Sequence, residues 1–293
     1  MGSVPALDLR WGSGPDAATL VDLLYAELDD FGPLAIHDHE TADGWRVFFR
    51  NVSQRDAAAS ALHTALGPRG LSIDPIDIDD DNWAKRSQEA LRAVRVGRLV
   101  VAPPWATDNT DTRATDDTDI EIVIEPSTGF GTGHHETTRL CLELLQESDV
   151  AGRRVLDVGT GSGVLAIAAA KLGASTVVAF DEDPQALENA RENVARNQVA
   201  SNVTVRELDL GAPAFTLQPA AIVLANLTSG VLLKYARRLQ SLVDEGGALL
   251  MSGFAPEDLA ELVAAFGASA VHSRVDGAWA AAVLRFNDSP RES

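Results

Sequence analysis

Three glycines alternate at Gly159, Gly161 and Gly163, between a short apolar run that ends at Val158 and a longer one that begins at Val164. The first run has the composition of a buried strand and the second that of a helix. Glycines in such a turn let the backbone bend tightly and approach a ligand closely, because no Cβ intervenes. The free N–H groups at the start of the helix face the same ligand. The pattern predicts a strand–loop–helix unit that binds a nucleotide-like cofactor.

Two acidic residues accompany this loop. Asp157 lies just before the glycines, and Asp181 follows the next short apolar run, Thr176 to Phe180. In dinucleotide-binding folds an acidic residue about 20 positions beyond the loop binds the ribose hydroxyls. The loop and the two carboxylates together therefore predict a cofactor that contains a ribose, and Asp181 is its predicted ligand.

The position of the third glycine distinguishes two classes of cofactor. Nicotinamide enzymes carry G-x-G-x-x-G, whereas the last glycine here comes one residue earlier, as Gly159-x-Gly161-x-Gly163. Together with Asp157, this spacing resembles motif I of S-adenosylmethionine-dependent methyltransferases. A nicotinamide oxidoreductase stays an alternative, but no evident proton-relay Tyr–Lys pair or histidine supports it.

The composition excludes several classes of protein. The chain has 293 residues, 45% hydrophobic and 23% charged, which predicts a globular protein large enough for two domains. No apolar run approaches the roughly 20 residues that cross a bilayer, and the N-terminus lacks a signal-peptide pattern, so we expect no membrane contact. The net charge of −19 argues against direct nucleic-acid binding. The single cysteine, Cys141, excludes an internal disulfide and is typical of the cytoplasm.

Residues 1–78 alternate between short strand-like and helix-like segments. Their order, βαββαβ, predicts a small ferredoxin-like α+β domain. Within it His37, His39 and Glu40 could be considered as metal ligands, but a solvated strand end is the favoured interpretation. Residues 79–97 are predicted as a linker helix, because acidic residues at their start favour a helix N-terminus. The remaining residues, 98–293, form the second predicted domain.

From residue 153 onward strand-like and helix-like segments alternate, which is the pattern of a doubly wound parallel sheet. Two strand-like segments near the C-terminus, separated by Asp276-Gly277, predict a closing β-hairpin. The expected fold is α/β, a Rossmann-like sheet of the seven-stranded methyltransferase type. Ligands of such sheets bind beyond the carboxyl ends of the strands. The polar residues predicted at such ends are Asp157, Asp181, Asp209 and Asn226.

Two loops precede this unit. Residues 108–119 contain five Asp and four Thr, which is typical of a solvated loop, although an acidic clamp for a basic substrate is an alternative. Residues 126–138 are rich in Gly, Thr and His, and such a loop can fold amides and hydroxyls over a polar ligand. His134, His135 and Glu136 invite a metal interpretation, but adjacent residues point apart and no further ligands stand out, so no metal is predicted.

This second loop carries the most specific resemblance to a known family. It reads Phe130-Gly131-Thr132-Gly133-His134-His135-Glu136-Thr137-Thr138, where the bacterial ribosomal protein L11 methyltransferase family has F-G-T-G-x-H-x-T-T. Further matches are Leu156-Asp157-Val158-Gly159-x-Gly161-Ser162-Gly163, Ala225-Asn226 and Ser252-Gly253. The chain resembles this family from about residue 80 to residue 286, and before that in layout only. It departs from the family at Pro126-Ser127-Thr128-Gly129, at Glu136 and at Leu227-Thr228.

The resemblance implies a function and a set of site residues. It implies that residues 1–78 are a substrate-recognition domain that presents ribosomal protein L11, free or on the large subunit. The second domain would methylate lysine side chains and the N-terminal amine of that protein with S-adenosylmethionine. Asn226 would lie nearest the transferred methyl group and act as the catalytic residue, orienting the amine. The residues implied to bind the cofactor are Thr138, Asp157, Gly159, Gly161, Gly163, Asp181, Asp209 and Asn226.

The roles within this set differ. The resemblance implies that the glycines line the methionine part of the cofactor, that Asp181 binds the ribose and that Thr138 holds the cofactor from the overlying loop. Asp209 would lie near the adenine. Two alternatives remain beside the oxidoreductase: a methyltransferase for another protein or a small amine, and a non-catalytic module that retains the fold.

Overall fold

The computed structural model describes residues 3–12, 20, 23–24, 27–28, 31–33, 35–39, 44–79, 92–106, 118–125 and 135–286. The chain divides into two compact units. The first comprises Met1–Ala90 together with Thr128–Phe130, and the second comprises Leu91–Ser127 together with Gly131–Ser293. No helix within the described ranges is long and apolar enough to span a membrane.

An antiparallel sheet dominates the N-terminal unit. Its strands are β1 (Ser3–Arg10), β2 (Ala35–Asp38), β3 (Gly44–Phe48) and β4 (Ser72–Asp79), in the order β2-β3-β1-β4 across the sheet. Helix α1 (Val52–Leu66) begins after Asn51, whose side-chain oxygen accepts the N–H of Gln54 at 2.9 Å. Leu7 of β1 and Val47 of β3 pack with Leu62 of α1 in the core of this unit.

Three short strands open the second unit, and one of them corrects a prediction. They are β5 (Val94–Val96), antiparallel to β6 (Leu99–Ala102), and β7 (Ile120–Val123), parallel to β6. Residues 79–97 were predicted as a linker helix, which is wrong for Val94–Val96; residues 80–91 lie outside the described part of the chain. The two β-branched valines favour a strand, and Gly97, with a φ of +56°, supplies the turn into β6.

The second unit is built on a seven-stranded sheet in the order β10-β9-β8-β11-β12-β14-β13. The first five strands in this order run parallel, and β14 is antiparallel to both of its neighbours. The predicted Rossmann-like sheet and its closing hairpin are therefore confirmed. The strands are β8 (Arg154–Val158), β9 (Thr176–Asp181), β10 (Val203–Glu207), β11 (Ala220–Asn226), β12 (Val243–Phe254), β13 (Ser269–Asp276) and β14 (Trp279–Arg285).

Helices cover both faces of this sheet. They are α2 (Glu136–Gln146), α3 (Val164–Lys171), α4 (Pro184–Arg196), α5 (Ser229–Lys234), α6 (Ala236–Ser241) and α7 (Leu259–Phe266). Successive residues of β8 lie in different apolar clusters, Val155 with Ile167 of α3 and Leu156 with Leu239 of α6. A strand buried on both sides needs a continuous apolar run, as the sequence has here. The polar residues of β8 can therefore lie only near its ends.

Candidate active site

The sheet brings the predicted polar residues to one edge. Strands β10, β9, β8 and β11 are neighbours in this order and run in the same direction. Asp181 and Asn226 are the last residues of β9 and β11. Asp157 is the penultimate residue of β8, and Asp209 lies two residues beyond the end of β10. All four are therefore at the carboxyl edge of the sheet, where ligands of such folds bind.

The glycine loop joins β8 to α3 and has a left-handed backbone at all three predicted glycines. The φ angles are +66° at Gly159, +52° at Gly161 and +84° at Gly163. A Cβ at Gly159 would also lie only 2.6 Å from Cδ2 of Leu227. The φ angle therefore favours glycine at this position, and a Cβ there would in addition force the side chain of Leu227 to move.

Asp157 of β8 holds this loop through its side chain. Its carboxylate, only 1% exposed, accepts the hydroxyl of Thr160 at 2.6 Å and the N–H of Ala166 at 3.1 Å. Ala166 lies in the first turn of α3, so this carboxylate closes the loop and satisfies a free N–H of the helix start. Burial raises the pKa of Asp157 to about 6, although the bonds from Thr160 and Ala166 lower it. The two hydrogen bonds to the Asp157 carboxylate thus come from the loop and from the helix that follows it.

Asp181 holds the loop from the neighbouring strand. One carboxylate oxygen accepts the N–H of Gly161 at 3.0 Å, and the other accepts the N–H of Asp183 at 3.1 Å. A carboxylate has about four acceptor positions, so these two bonds leave each oxygen able to accept another. The half-buried Asp181 can therefore hold the loop and accept two hydroxyl groups of a ligand at the same time.

Asn226 and Thr138 meet although 88 residues separate them. Nδ2 of Asn226 lies 3.4 Å from Oγ1 of Thr138. Thr138 lies in the first turn of α2 and is only 2% exposed. This contact places the start of α2 at the end of β11, so the helix that follows the Gly/Thr/His loop reaches the same edge of the sheet as Asp181.

Comparison with known proteins fits this arrangement. Over residues 40–286 the sequence matches the family described as Ribosomal protein L11 methyltransferase (PrmA). The chain belongs to the ribosomal protein L11 methyltransferase family. The expectation from the resemblance is confirmed at the level of the family, over most of the chain.

Two relatives and one solved structure illustrate the match. The protein named Ribosomal protein L11 methyltransferase from Chloroflexus aurantiacus is 40% identical over 246 residues, which is 75% of this chain and 72% of that protein. The protein of the same name from Marinobacter nauticus is 35% identical over 264 residues, 88% of this chain and 85% of that protein. A ribosomal protein L11 methylase from Lactobacillus delbrueckii subsp. bulgaricus superposes with a TM-score of 0.59 at 27% identity, covering 67% of this chain and 98% of that chain.

In this family member His135 fixes the start of α2. Its Nδ1 accepts the N–H of Thr137 at 3.4 Å and lies 2.9 Å from the hydroxyl oxygen of Thr137. The ring meets Trp279 of β14 edge-on, with centroids 5.1 Å apart. Burial lowers the pKa of His135, which favours the neutral ring that can accept at Nδ1. No three His, Cys, Asp or Glu residues among those described are grouped to hold a metal ion, and His134 lies outside the described residues.

The remaining predicted residues are less closely tied to the site. Asp209 is exposed and accepts the N–H of Gly211 at 2.5 Å, in a turn beyond β10. Its predicted place near an adenine stays a prediction. Residues 108–117 and 126–134, which include most of the acidic loop and most of the loop with the family pattern, lie outside the described residues.

Sequence reasoning missed two buried asparagines on α4 and at its end. Asn193 is fully buried, and Asn197 is 7% exposed. Asn193 donates to the carbonyl of Ser162 in the glycine loop at 3.0 Å and accepts the N–H of Glu125 at 2.8 Å. The sequence did contain an indication of this contact, namely two amides four residues apart on the apolar side of a helix. A buried amide needs hydrogen-bond partners, so such a pair predicts a polar segment packed against the helix.

Proposed function

We propose that this chain transfers methyl groups from S-adenosylmethionine to lysine side-chain and N-terminal amines of ribosomal protein L11. The observation that carries the proposal is the convergence, at one edge of the sheet, of the Asp181–Gly161 contact and the Asn226–Thr138 contact. The first contact suits a ligand that contains a nucleoside, and the second places the Asn226 amide where it can bind the amine that accepts the methyl group. The family match and the names of the relatives support the substrate.

The residues of the site fit the cofactor. The three glycines hold the left-handed backbone that a tight loop against a ligand needs, and a side chain at Gly159 would displace the side chain of Leu227. Asp181 keeps acceptor positions for the two ribose hydroxyls. Gly159, Gly161 and Gly163 would line the methionine part, Thr138 would hold the cofactor from the start of α2, and Asp209 would lie near the adenine. Asp157 would act through the loop that it supports. When bound, S-adenosylmethionine supplies an electrophilic methyl group on a sulfonium.

The acceptor must be a neutral amine. A free lysine has a pKa of about 10.4, so most of it is protonated at neutral pH. A pocket from which water is excluded lowers the pKa of the amine, because it disfavours the ammonium form. Since the methyl donor is already activated, the chain's main tasks are to position the two reactants and to release the proton of the ammonium product to solvent.

Asn226 is suited to orient that amine. Its Nδ2 donates toward Oγ1 of Thr138, which leaves its Oδ1 as the atom that accepts an N–H of the substrate. An amide oxygen directs the nitrogen lone pair without the charge that would stabilise an ammonium ion. This is why an amide suits this position better than a carboxylate does.

The N-terminal unit is the proposed substrate-recognition domain. Its strand order β2-β3-β1-β4, with all described neighbours antiparallel, is the order of a ferredoxin-like βαββαβ domain, which supports that description for residues 1–78. Residues 79–97 would join it to the methyltransferase domain, residues 98–293. The partner would be ribosomal protein L11, free or on the large subunit, in the cytoplasm. The net charge of −19 disfavours direct contact with RNA and favours a basic protein.

Mass spectrometry of ribosomal protein L11 after incubation with this chain and S-adenosylmethionine tests the proposal. We expect added masses of whole methyl groups on lysines or the N-terminal amine, and none with Asp181→Ala. If no mass is added while calorimetry still shows S-adenosylmethionine binding, the cofactor stands and the substrate is another protein or a small amine. If binding is absent as well, the proposal fails.

A further inference from the structure

Side-chain amides at four-residue intervals along and just beyond α4 face the end of β7. Asn197 donates to the carbonyl of Val123 at 2.6 Å and accepts its N–H at 2.9 Å. Asn193 accepts the N–H of Glu125 at 2.8 Å, and Asn189 donates to the carbonyl of Glu125 at 3.5 Å. The three amides therefore bond to alternate residues of one extended segment.

On this edge of the segment the side-chain amides take the place of a neighbouring β-strand. Four helical residues span about 6.0 Å and two strand residues about 6.6 Å, so an amide on each turn can follow alternate residues of a strand. The other edge of the segment is also bonded, since the N–H of Ile124 donates to the carbonyl of Ala102 in β6 at 2.9 Å. The segment that leads into residues 126–134 is thus held on both edges.

Asn193 differs from the other two because it also reaches the glycine loop. Its Nδ2 donates to the carbonyl of Ser162 at 3.0 Å and to Oδ1 of Asn189 at 2.6 Å. Its Oδ1 accepts from Glu125 at 2.8 Å and from Arg196 at 3.0 Å. Both amide hydrogens and both lone pairs are used in a fully buried side chain, so the amide has one defined orientation.

We infer that Asn193 is a positioning residue that sets the distance between the glycine loop and the extended segment that ends at Glu125. The inference rests on the proposed function, because the glycine loop is proposed to bind the cofactor. Because Asn193 is fully buried, it acts through its bonds to Ser162 and Glu125. An aspartate would keep the acceptor for Glu125 but would place an oxygen against the carbonyl of Ser162.

The test compares Asn193→Asp with the matched variant Asn197→Asp, each replacing a buried amide on the same side of the helix. S-adenosylmethionine binding is measured by calorimetry and the midpoint of thermal unfolding by circular dichroism. Amide hydrogen exchange at the glycine loop is followed in both. We expect Asn193→Asp to weaken binding about tenfold and to speed exchange in the glycine loop. Asn197→Asp, at a comparable loss of thermal midpoint, should change binding less than about threefold, since it touches only Val123 and its own helix.

Asn193→Ala serves as the second variant and should weaken binding in the same way. Binding lost in proportion to thermal stability for Asn193 and Asn197 variants alike would overturn the inference, as would wild-type binding by both Asn193 variants. If neither Asn193 variant folds while Asn197→Asp does, the role is structural and the inference is equally overturned. Absence of binding by the unmodified chain would instead refute the proposed function, and the inference with it, before any variant is compared.

Discussion

The carboxylate of Asp181 accepts the backbone N–H of Gly161 at 3.0 Å, so the residue proposed to bind the ribose also fixes the loop proposed to bind the methionine part. The two contacts to one cofactor are therefore not independent. A change at Asp181 removes hydroxyl acceptors and at the same time releases the centre of the glycine loop.

Asp181→Ala is expected to weaken S-adenosylmethionine binding by about 100-fold, because hydrogen bonds to a charged group each contribute about 1.5–3 kcal/mol. Asp181→Asn keeps one oxygen for either Gly161 or a ribose hydroxyl and should show a smaller loss. Calorimetric titration measures both. Glu188→Gln, an exposed charge removal on α4, is the control and should bind as the unmodified chain does. Equal loss in the control would show a general effect of charge.

Gly159→Ala is expected to lower the free energy of unfolding and to abolish cofactor binding, because the added Cβ would lie 2.6 Å from Leu227 at a φ of +66°. Gly152→Ala is a matched control, since its φ is +72° and nothing lies within 4 Å of the added Cβ. Strain in the left-handed region costs about 1–2 kcal/mol in both. Urea unfolding should therefore show the larger loss for Gly159→Ala, and equal losses would contradict the steric argument.

Asp157 should make stability depend on pH in the direction opposite to a salt-bridged acid. Burial raises its pKa from 3.8 to about 6 in the folded chain, so the folded state holds the proton more tightly. Its contribution is full below about pH 4 and is lost as the pH rises through 6. Asp157→Asn removes this dependence. Relative to the unmodified chain, the variant should gain up to about 3 kcal/mol between pH 4 and pH 7 in chemical unfolding. A constant difference across this range would refute the prediction.

His135 should give the reverse pH dependence. Burial lowers its pKa below 6.5, so the stability provided by the neutral ring is present above pH 6.5 and is lost as the pH falls through the folded pKa. His135→Asn keeps a helix cap and should flatten this decline, whereas His135→Ala should cost about 1 kcal/mol at pH 8. Thermal midpoints of the two variants at pH 5 and pH 8 provide the measurement. A decline that persists unchanged in His135→Asn would assign it to another group.

Local patterns in the sequence were sufficient to predict the main sheet and the residues at its carboxyl edge. The alternating glycines and the apolar runs on each side depend on neighbours in the chain, and a parallel sheet gathers strand ends by its own geometry. The prediction of a linker helix was wrong at Val94–Val96, because these three residues pair with β6, and this tertiary contact determines their conformation. The burial of Asp157 could not be predicted either, since an acidic residue before a glycine loop can contact a ligand or the start of the helix.

The asparagines of α4 show the limit of sequence reasoning most clearly. Asn193 and Glu125 are 68 residues apart, and nothing local indicates that an amide on a helix replaces a strand partner. Polar residues on an apolar helix face are the useful signal, because burial of an amide is favourable only when its hydrogen bonds are satisfied.

The proposed methyl transfer is measured most directly as the rate of methylation of ribosomal protein L11 in a single turnover, followed by intact mass, for the unmodified chain and Asn226→Ala. The unmodified chain should add whole methyl groups to amines of the ribosomal protein. At saturating S-adenosylmethionine, so that any weakening of cofactor binding does not enter the rate, Asn226→Ala should transfer at least about 100-fold more slowly, because it lacks the oxygen that orients the amine. Transfer by Asn226→Ala at the unmodified rate would refute the role of Asn226, and no methylated amine with either protein would refute the proposed activity.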